Sequence, residues 1–255
     1  MGIATVVAGF TLSSLPGDGS NEVTWAAVKA GIAAVPRQYL ADARAGLLSP
    51  FVFGFGISTA MFAFHVNSEV SNSGMGENSL GYLEAYSYFV AIVAAYPYAL
   101  VMQHVSRGQD WVMQFGSLSF LLSGVVVLAL SENQLTTWAA MIGVKTLYGL
   151  GRGVFEGSCR SVYAEMFTGE DLATAFSGQT LSAGLSGGIC FFIFGTMRKD
   201  GIASVTISNG VFAIACYFVL MFAIDPKIPI SWSRTLAAIV KRTGCAGPSR
   251  SLLTD

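Results

Sequence analysis

"GVKTLYGLGRGVFEGSCRSVYAEMF", residues 143–167, decides how this chain is read. It opens as an apolar, glycine-rich helix and then takes on Lys145, Arg152, Glu156 and Arg160. At about 100° per residue these four charges and Tyr163 fall within an arc of about 80°, so they form one stripe on one helix. Arg152–Glu156 and Glu156–Arg160 are both i,i+4 pairs, which allows Glu156 to be clasped from two sides. Lys145 has no carboxylate within a helical turn on its own helix. Along one edge of the stripe run Gly149, Gly153 and Gly157 at four-residue spacing, a pattern that lets a second helix approach closely.

The rest of the chain explains why such a helix matters. Of 255 residues, 53% are hydrophobic and 11% are charged, against about a quarter charged in a soluble domain. Glycine is abundant and aromatic residues make up 12%. This is the composition of a polytopic membrane protein. A net charge of −1 excludes nucleic acid as a partner, since that needs a concentrated basic patch. Cys159, Cys190, Cys216 and Cys245 are scattered, so no zinc site or disulfide framework is expected. His65 and His104 each stand alone near a span end and read as interfacial side chains rather than metal ligands. No cofactor is expected. No nucleophile elbow, Walker loop or zinc-protease motif occurs, so the chain is not read as an enzyme. "GLGRG" contains G-x-G, but inside an apolar helix rather than after a strand.

A span needs about 20 apolar residues. Six segments meet that need, near residues 47–66, 83–103, 111–130, 135–160, 175–197 and 202–224, separated by turn-forming joints such as "SRGQD", "SENQ" and "FTGED". The fold expected is an all-α membrane bundle of six helices over residues 47–224. Residues 1–12 read as the remnant of a preceding span. Residues 13–46 read as a cytosolic connector whose helix either lies on the membrane surface or serves as a plain linker, with Lys29, Arg37 and Arg44 on or near its polar side. Residues 225–255 read as a cytosolic tail. Most Lys and Arg of the short loops and tail fall on one side of a six-span arrangement, which places both ends in the cytoplasm.

Counted from Leu135 at 1.5 Å per residue, Lys145 would lie ~15 Å into the bilayer, near its midplane. A lone ammonium there costs at least about 2.5 kcal/mol, so it should face a watery cavity or a partner on another helix. Lys145, with Tyr148 beside it and Gln179 of the fifth span, is the expected substrate-binding set. Ser177, Thr180 and Asn209 could add polar lining. Arg152, Glu156 and Arg160 read either as a structural ion-pair network at the helix end or as a gate.

Six spans after a partial span and a connector resemble the C-terminal half of a major facilitator transporter. More narrowly, "YGLGRGVFEGSCRSVYAEMF", "TGEDLATAFSGQTLSAGLSGGICFFIFGTM" and "LLSPFVFGFGISTAMFAF" are similar to the Unc-ninety-three-like branch of that superfamily. The loop signature of the superfamily survives only as "SRGQD". The resemblance implies that the partners are the lipid bilayer and either a missing N-terminal half or a second copy. It implies two functions equally: a secondary transporter moving a small polar or anionic solute, or a non-transporting membrane adaptor, trafficking chaperone or channel subunit bound to another membrane protein.

Overall fold

The computed structural model describes residues 25–223, and every element among them is helical. The elements are α1 (Trp25–Ala41), α2 (Ala43–Met61), a π-helical segment π1 (Phe62–Ser71), the short α3 (Asn72–Met75), α4 (Glu77–His104), α5 (Gly108–Ala129), the short α6 (Glu132–Leu135), α7 (Trp138–Gly153), a second π segment π2 (Val154–Ser158), α8 (Cys159–Met166), α9 (Glu170–Phe194) and α10 (Lys199–Ala223). The remnant and the tail expected at the two ends lie outside the described residues.

Local chemistry sets the boundaries. Asp42 caps α2 by accepting from the Arg44 amide at 3.0 Å, as a residue at that position commonly does. Ser131 and Gln134 form a reciprocal capping box on α6, and Thr137 caps α7. Gly76 and Gly169 turn the chain with positive φ of 87° and 63°, conformations open to a residue without Cβ.

Among the described residues the long rods are α2 with π1, α4, α5, α7 through α8, α9, and α10. Contacting residues show how they run. Gly56 meets Ala183 and Gly187, and Phe64 meets Phe191, so α2 and α9 are parallel. Pro50 meets Asn209 and Met61 meets Thr206, so α10 is antiparallel to α2. Gly116 meets Val154 and Phe120 meets Gly151, which sets α5 antiparallel to the long rod beginning with α7. Ser87 meets Gly149 and Ala91 meets Gly153, so α4 is parallel to α7. With α5 antiparallel to α10 through Leu121–Gly210 and Gly124–Ala203, consecutive rods alternate in direction. The starts of α2 and α5, and the ends of α8 and α10, lie at one end of the bundle, the near end. Residues 67–79 and the start of α7 lie at the far end.

Four of these helical stretches are long and apolar enough to cross a membrane: Ala43–Ser68, Ser79–His104, Gly108–Ala129 and Lys199–Phe222. The first starts four residues earlier than the apolar run alone implies, because the Asp42 cap sets it. The α7–π2–α8 rod is diluted by Lys145, Arg152, Glu156 and Arg160, and α9 by its run of Ser, Thr and Gly. The chain is thus an α-helical membrane protein, and its exposed large side chains are apolar along the rods: Phe89, Ile92, Phe192 and Phe212 are all more than half exposed. A bilayer replaces water as the solvent for such surfaces.

α1 forms a helix, as the connector's periodicity implies, and docks on the bundle. Gln38 donates to the Asp171 carbonyl at 3.1 Å, and the Tyr39 hydroxyl lies 3.0 Å from that of Ser182. Burial pushes the Tyr39 phenol above its ordinary pKa, with the Ser182 hydrogen bond opposing it. Arg44 does not sit on a polar surface. It is buried, pairs with Asp42, donates to the Met166 carbonyl at 2.6 Å and lies over Phe167. The connector therefore ends inside the bundle's near end rather than alongside it.

Candidate functional site

The polar feature that joins three rods is a junction around Lys145. This side chain is fully buried. Its ammonium forms an ion pair with Oε1 of Glu84, on α4. It also donates to Oδ1 of Asn67, on π1, at 2.8 Å. Asn67 closes the triangle by donating from Nδ2 to the same Glu84 oxygen at 2.7 Å. The Phe62 ring lies 5.1 Å from the ammonium, within range for a cation–π contact. Phe62 stacks in turn on Tyr148, centroids 4.3 Å apart, and the Tyr148 hydroxyl lies 3.0 Å from that of Thr59. Lys145 and Tyr148 are three residues apart and share a helix face.

The π segment is what assembles this site. Phe62 and Asn67 are five residues apart, and in an α-helix at about 100° per residue they would diverge by about 140°. The wider turn of i→i+5 bonding brings residues five apart closer to one face, and both Asn67 and Phe62 reach Lys145. π segments recur at functional sites for this reason: they re-aim side chains at the expense of regular bonding.

Around the junction, α4 and α7 are joined tightly. The Tyr86 hydroxyl lies 2.9 Å from that of Thr146, and the Tyr98 hydroxyl donates to the Leu150 carbonyl at 3.2 Å. A methyl added at Gly149 would sit 2.6 Å from the Ser87 carbonyl oxygen, and one at Gly153 would sit 2.9 Å from that of Ala91. Gly149 and Gly153 therefore form the groove into which α4 packs. Gly157 faces open space and is not in that groove.

Lys145 lies nearer the far end than a midplane residue would. α7 begins at Trp138, not near Leu135, because residues 132–135 form a separate turn. Lys145 is seven residues in, ~10 Å at 1.5 Å per residue. Glu84 is five residues past the start of its apolar stretch at Ser79, ~8 Å by the same rise. The Glu84 side chain is 31% exposed while Lys145 is 0% exposed. The junction therefore has one open side, and the carboxylate occupies it.

The remaining stripe residues separate from Lys145. Arg152 donates from Nε to Glu156 at 2.8 Å and its guanidinium lies 3.7 Å from the centroid of Tyr88. Arg160 is exposed and makes no ion pair among the described residues, so Glu156 is clasped from one side only. Gln179 does not join Lys145. It is buried and donates to the Cys159 sulfur at 3.4 Å, a point fourteen residues along the rod from Lys145, ~20 Å away. Ser177 stands two residues from Gln179 on α9, and Thr180 bonds the Phe176 carbonyl of its own helix. Asn209 bonds the Pro50 carbonyl of α2. His65 is buried rather than interfacial, and His104 is exposed at the end of α4, its Nδ1 3.0 Å from the Leu100 carbonyl. At the near end a cleft of about 350 Å³ lies beside Arg107, Asp110 and Glu165; there Arg107 pairs with Asp110 at 2.9 Å and donates to the Met221 carbonyl.

Sequence reasoning missed Glu84 and Asn67. Glu84 left a signal: it is the one charged residue in the apolar stretch 83–103, and an acid in a span asks for a partner. Asn67 left none, since it reads as the start of a polar loop. No family model, curated protein or solved structure matches the chain.

Proposed function

We propose that this chain is the six-span half of a secondary transporter for a small polar or anionic solute, with the Lys145–Glu84–Asn67 junction as a working part of its pathway. The observation that carries this reading is the junction itself. Two opposite charges and an amide, from three different rods, meet inside an apolar bundle with the carboxylate on the open side. Ionisable groups at membrane depth are costly, and they mark solute and ion pathways. A buried pair of this kind is a poor device for stability alone, since apolar side chains of the same volume do as well or better.

Alternating rods that begin and end on one side support the six-span count and the placing of both ends in the cytoplasm. The near end is then cytoplasmic and the junction opens toward the opposite face. Tyr88, Arg152 and Glu156 continue a polar, partly exposed strip down α4, α7 and π2 from that opening toward the cytoplasmic end. In a bilayer such a strip belongs against water or against a second half rather than against lipid. Arg152 and Glu156 are the gate pair of this reading. Lys145, already neutralised by Glu84, would meet an anionic solute only when that pair opens.

The test is uptake of a panel of labelled carboxylates, phosphates and amino acids into cells expressing the full protein. Lys145→Ala should abolish the uptake seen with the wild-type chain while surface expression persists. Unchanged uptake would remove Lys145 from the pathway.

A second reading, a membrane adaptor, rests on a different observation. Tyr82, Phe89, Ile92 and Tyr96 on α4 are each more than 60% exposed. A Tyr-bearing helix face of this kind fits a protein partner as well as lipid. Crosslinking in native membranes should then recover a stoichiometric partner, and solute flux without such a partner would exclude this reading.

A further inference from the structure

Building on the transporter reading, we infer that the solute is a free α-amino acid, its ammonium held by the open oxygen of Glu84 and its carboxylate by the free edge of the Arg152 guanidinium. The transporter reading supplies the passage of this solute, and the two poles supply its recognition.

Each pole has capacity to spare. Both Lys145 and Asn67 bind Oε1 of Glu84, and no described side chain binds Oε2. The Glu84 side chain is about one third exposed, so Oε2 is the acceptor that a solute can reach. Arg152 donates to Glu156 from Nε alone, and its Nη groups make no hydrogen bond among the described residues. Those two groups form the fork that binds a carboxylate through parallel bonds. The poles also share one side of the bundle. Glu84 and Tyr88 are four residues apart on α4 and lie on one helix face. The Arg152 guanidinium lies 3.7 Å from the centroid of the Tyr88 ring. Tyr88 is exposed, and it forms the wall between the two poles.

Spacing sets the size of the solute. Ser87 abuts Gly149 across the parallel rods. Glu84 stands three residues before Ser87 and Arg152 three residues after Gly149, an offset along the rods of ~9 Å. A charge-assisted hydrogen bond of about 2.8 Å at each pole leaves ~3 Å between the solute's own charges. That is the separation given by a single α-carbon, and a peptide would overrun it. Charge balance sets the type of solute. The strip holds Lys145 and Arg152 against Glu84 and Glu156, and these charges sum to zero. A zwitterion keeps that sum and lets both ion pairs stand. A simple anion on Arg152 would face the Glu84 carboxylate, and a simple cation on Glu84 would face Lys145 and Arg152, each with no opposite charge of its own. Net charge at membrane depth is the costly case.

The experiment is competition binding to the full chain in liposomes. The common α-amino acids are screened as labelled probes. The best binder is then matched with two analogues: its deamino acid, which keeps only the carboxylate, and its amide, which keeps only the ammonium. Each analogue should compete roughly tenfold or more weakly than the amino acid, the worth of one charge-assisted hydrogen bond. Glu84→Gln should weaken the amino acid and the amide by a similar factor and leave the deamino acid unchanged. Arg152→Gln should weaken the amino acid and the deamino acid and leave the amide unchanged. A merely structural role would weaken all three ligands together. Should Glu84→Gln fold poorly, Glu84→Gln with Lys145→Met removes the same pole without stranding a charge and should show the same selective loss. Failure of every amino acid to bind, or a deamino acid that competes as well as its parent, would overturn the inference. Uptake into the same liposomes separates the two readings. Amino-acid binding with the selective losses but without uptake keeps the site and discards the transporter reading. Uptake of carboxylates or phosphates but of no amino acid keeps the transporter and discards the site.

Discussion

The α7–π2–α8 rod carries two ion pairs seven residues apart, and they are unlike. Arg152–Glu156 is local. Both partners lie on one helix turn, Glu156 is 43% exposed, and the pair straddles the start of π2. Lys145–Glu84 joins residues 61 apart in sequence, with its cation fully buried and a third helix supplying Asn67. A local, half-solvated pair contributes at most about 1 kcal/mol. The buried pair is held by the whole fold, and each partner depends on the other. The lesson is that on one helix face, equal-looking charges divide into a peripheral pair and a junction that organises three rods.

The sharpest way to break the comparison is Glu84→Ala. It strands Lys145 where no water reaches, and unfolding of the protein in mixed micelles should show a loss of about 3–5 kcal/mol. Lys145→Met should lower stability by less, roughly half as much in the same assay, because the abandoned Glu84 can turn its open side to water. Gly149→Leu, which drives a side chain into the α4 backbone at Ser87, should cost about 1–3 kcal/mol by overpacking. Glu156→Gln should fall within about 1 kcal/mol of wild type. A loss at Glu156 equal to that at Glu84 would erase the distinction between the two pairs.

What the sequence made legible follows the same division. Features with a local signature were readable: the helical class, the Gly149–Gly153 groove, the Arg152–Glu156 pair, and the need of Lys145 for a partner on another helix. The partner's identity was not readable, because nothing in residues 143–167 refers to residue 84. Nor could apolar periodicity foresee π1, whose wider turn brings Asn67 toward the face of Phe62. Gln179 was misplaced because a polar residue in an apolar helix has no depth until its neighbours are known. Arg44 looked like a surface charge because its acceptors, the Met166 carbonyl and the Asp42 cap, lie at a bundle end that forms only on folding.

The central claim is that the Lys145–Glu84 pair serves transport rather than stability. The most direct measurement combines both properties in the Glu84→Gln, Lys145→Met double variant. Thermal unfolding and uptake of the labelled panel would be read on the same preparation. The account predicts stability within about 1 kcal/mol of wild type or above it, since neither charge is stranded, together with loss of uptake. A double variant that transports like the wild type would contradict the account and leave the junction as a piece of scaffold.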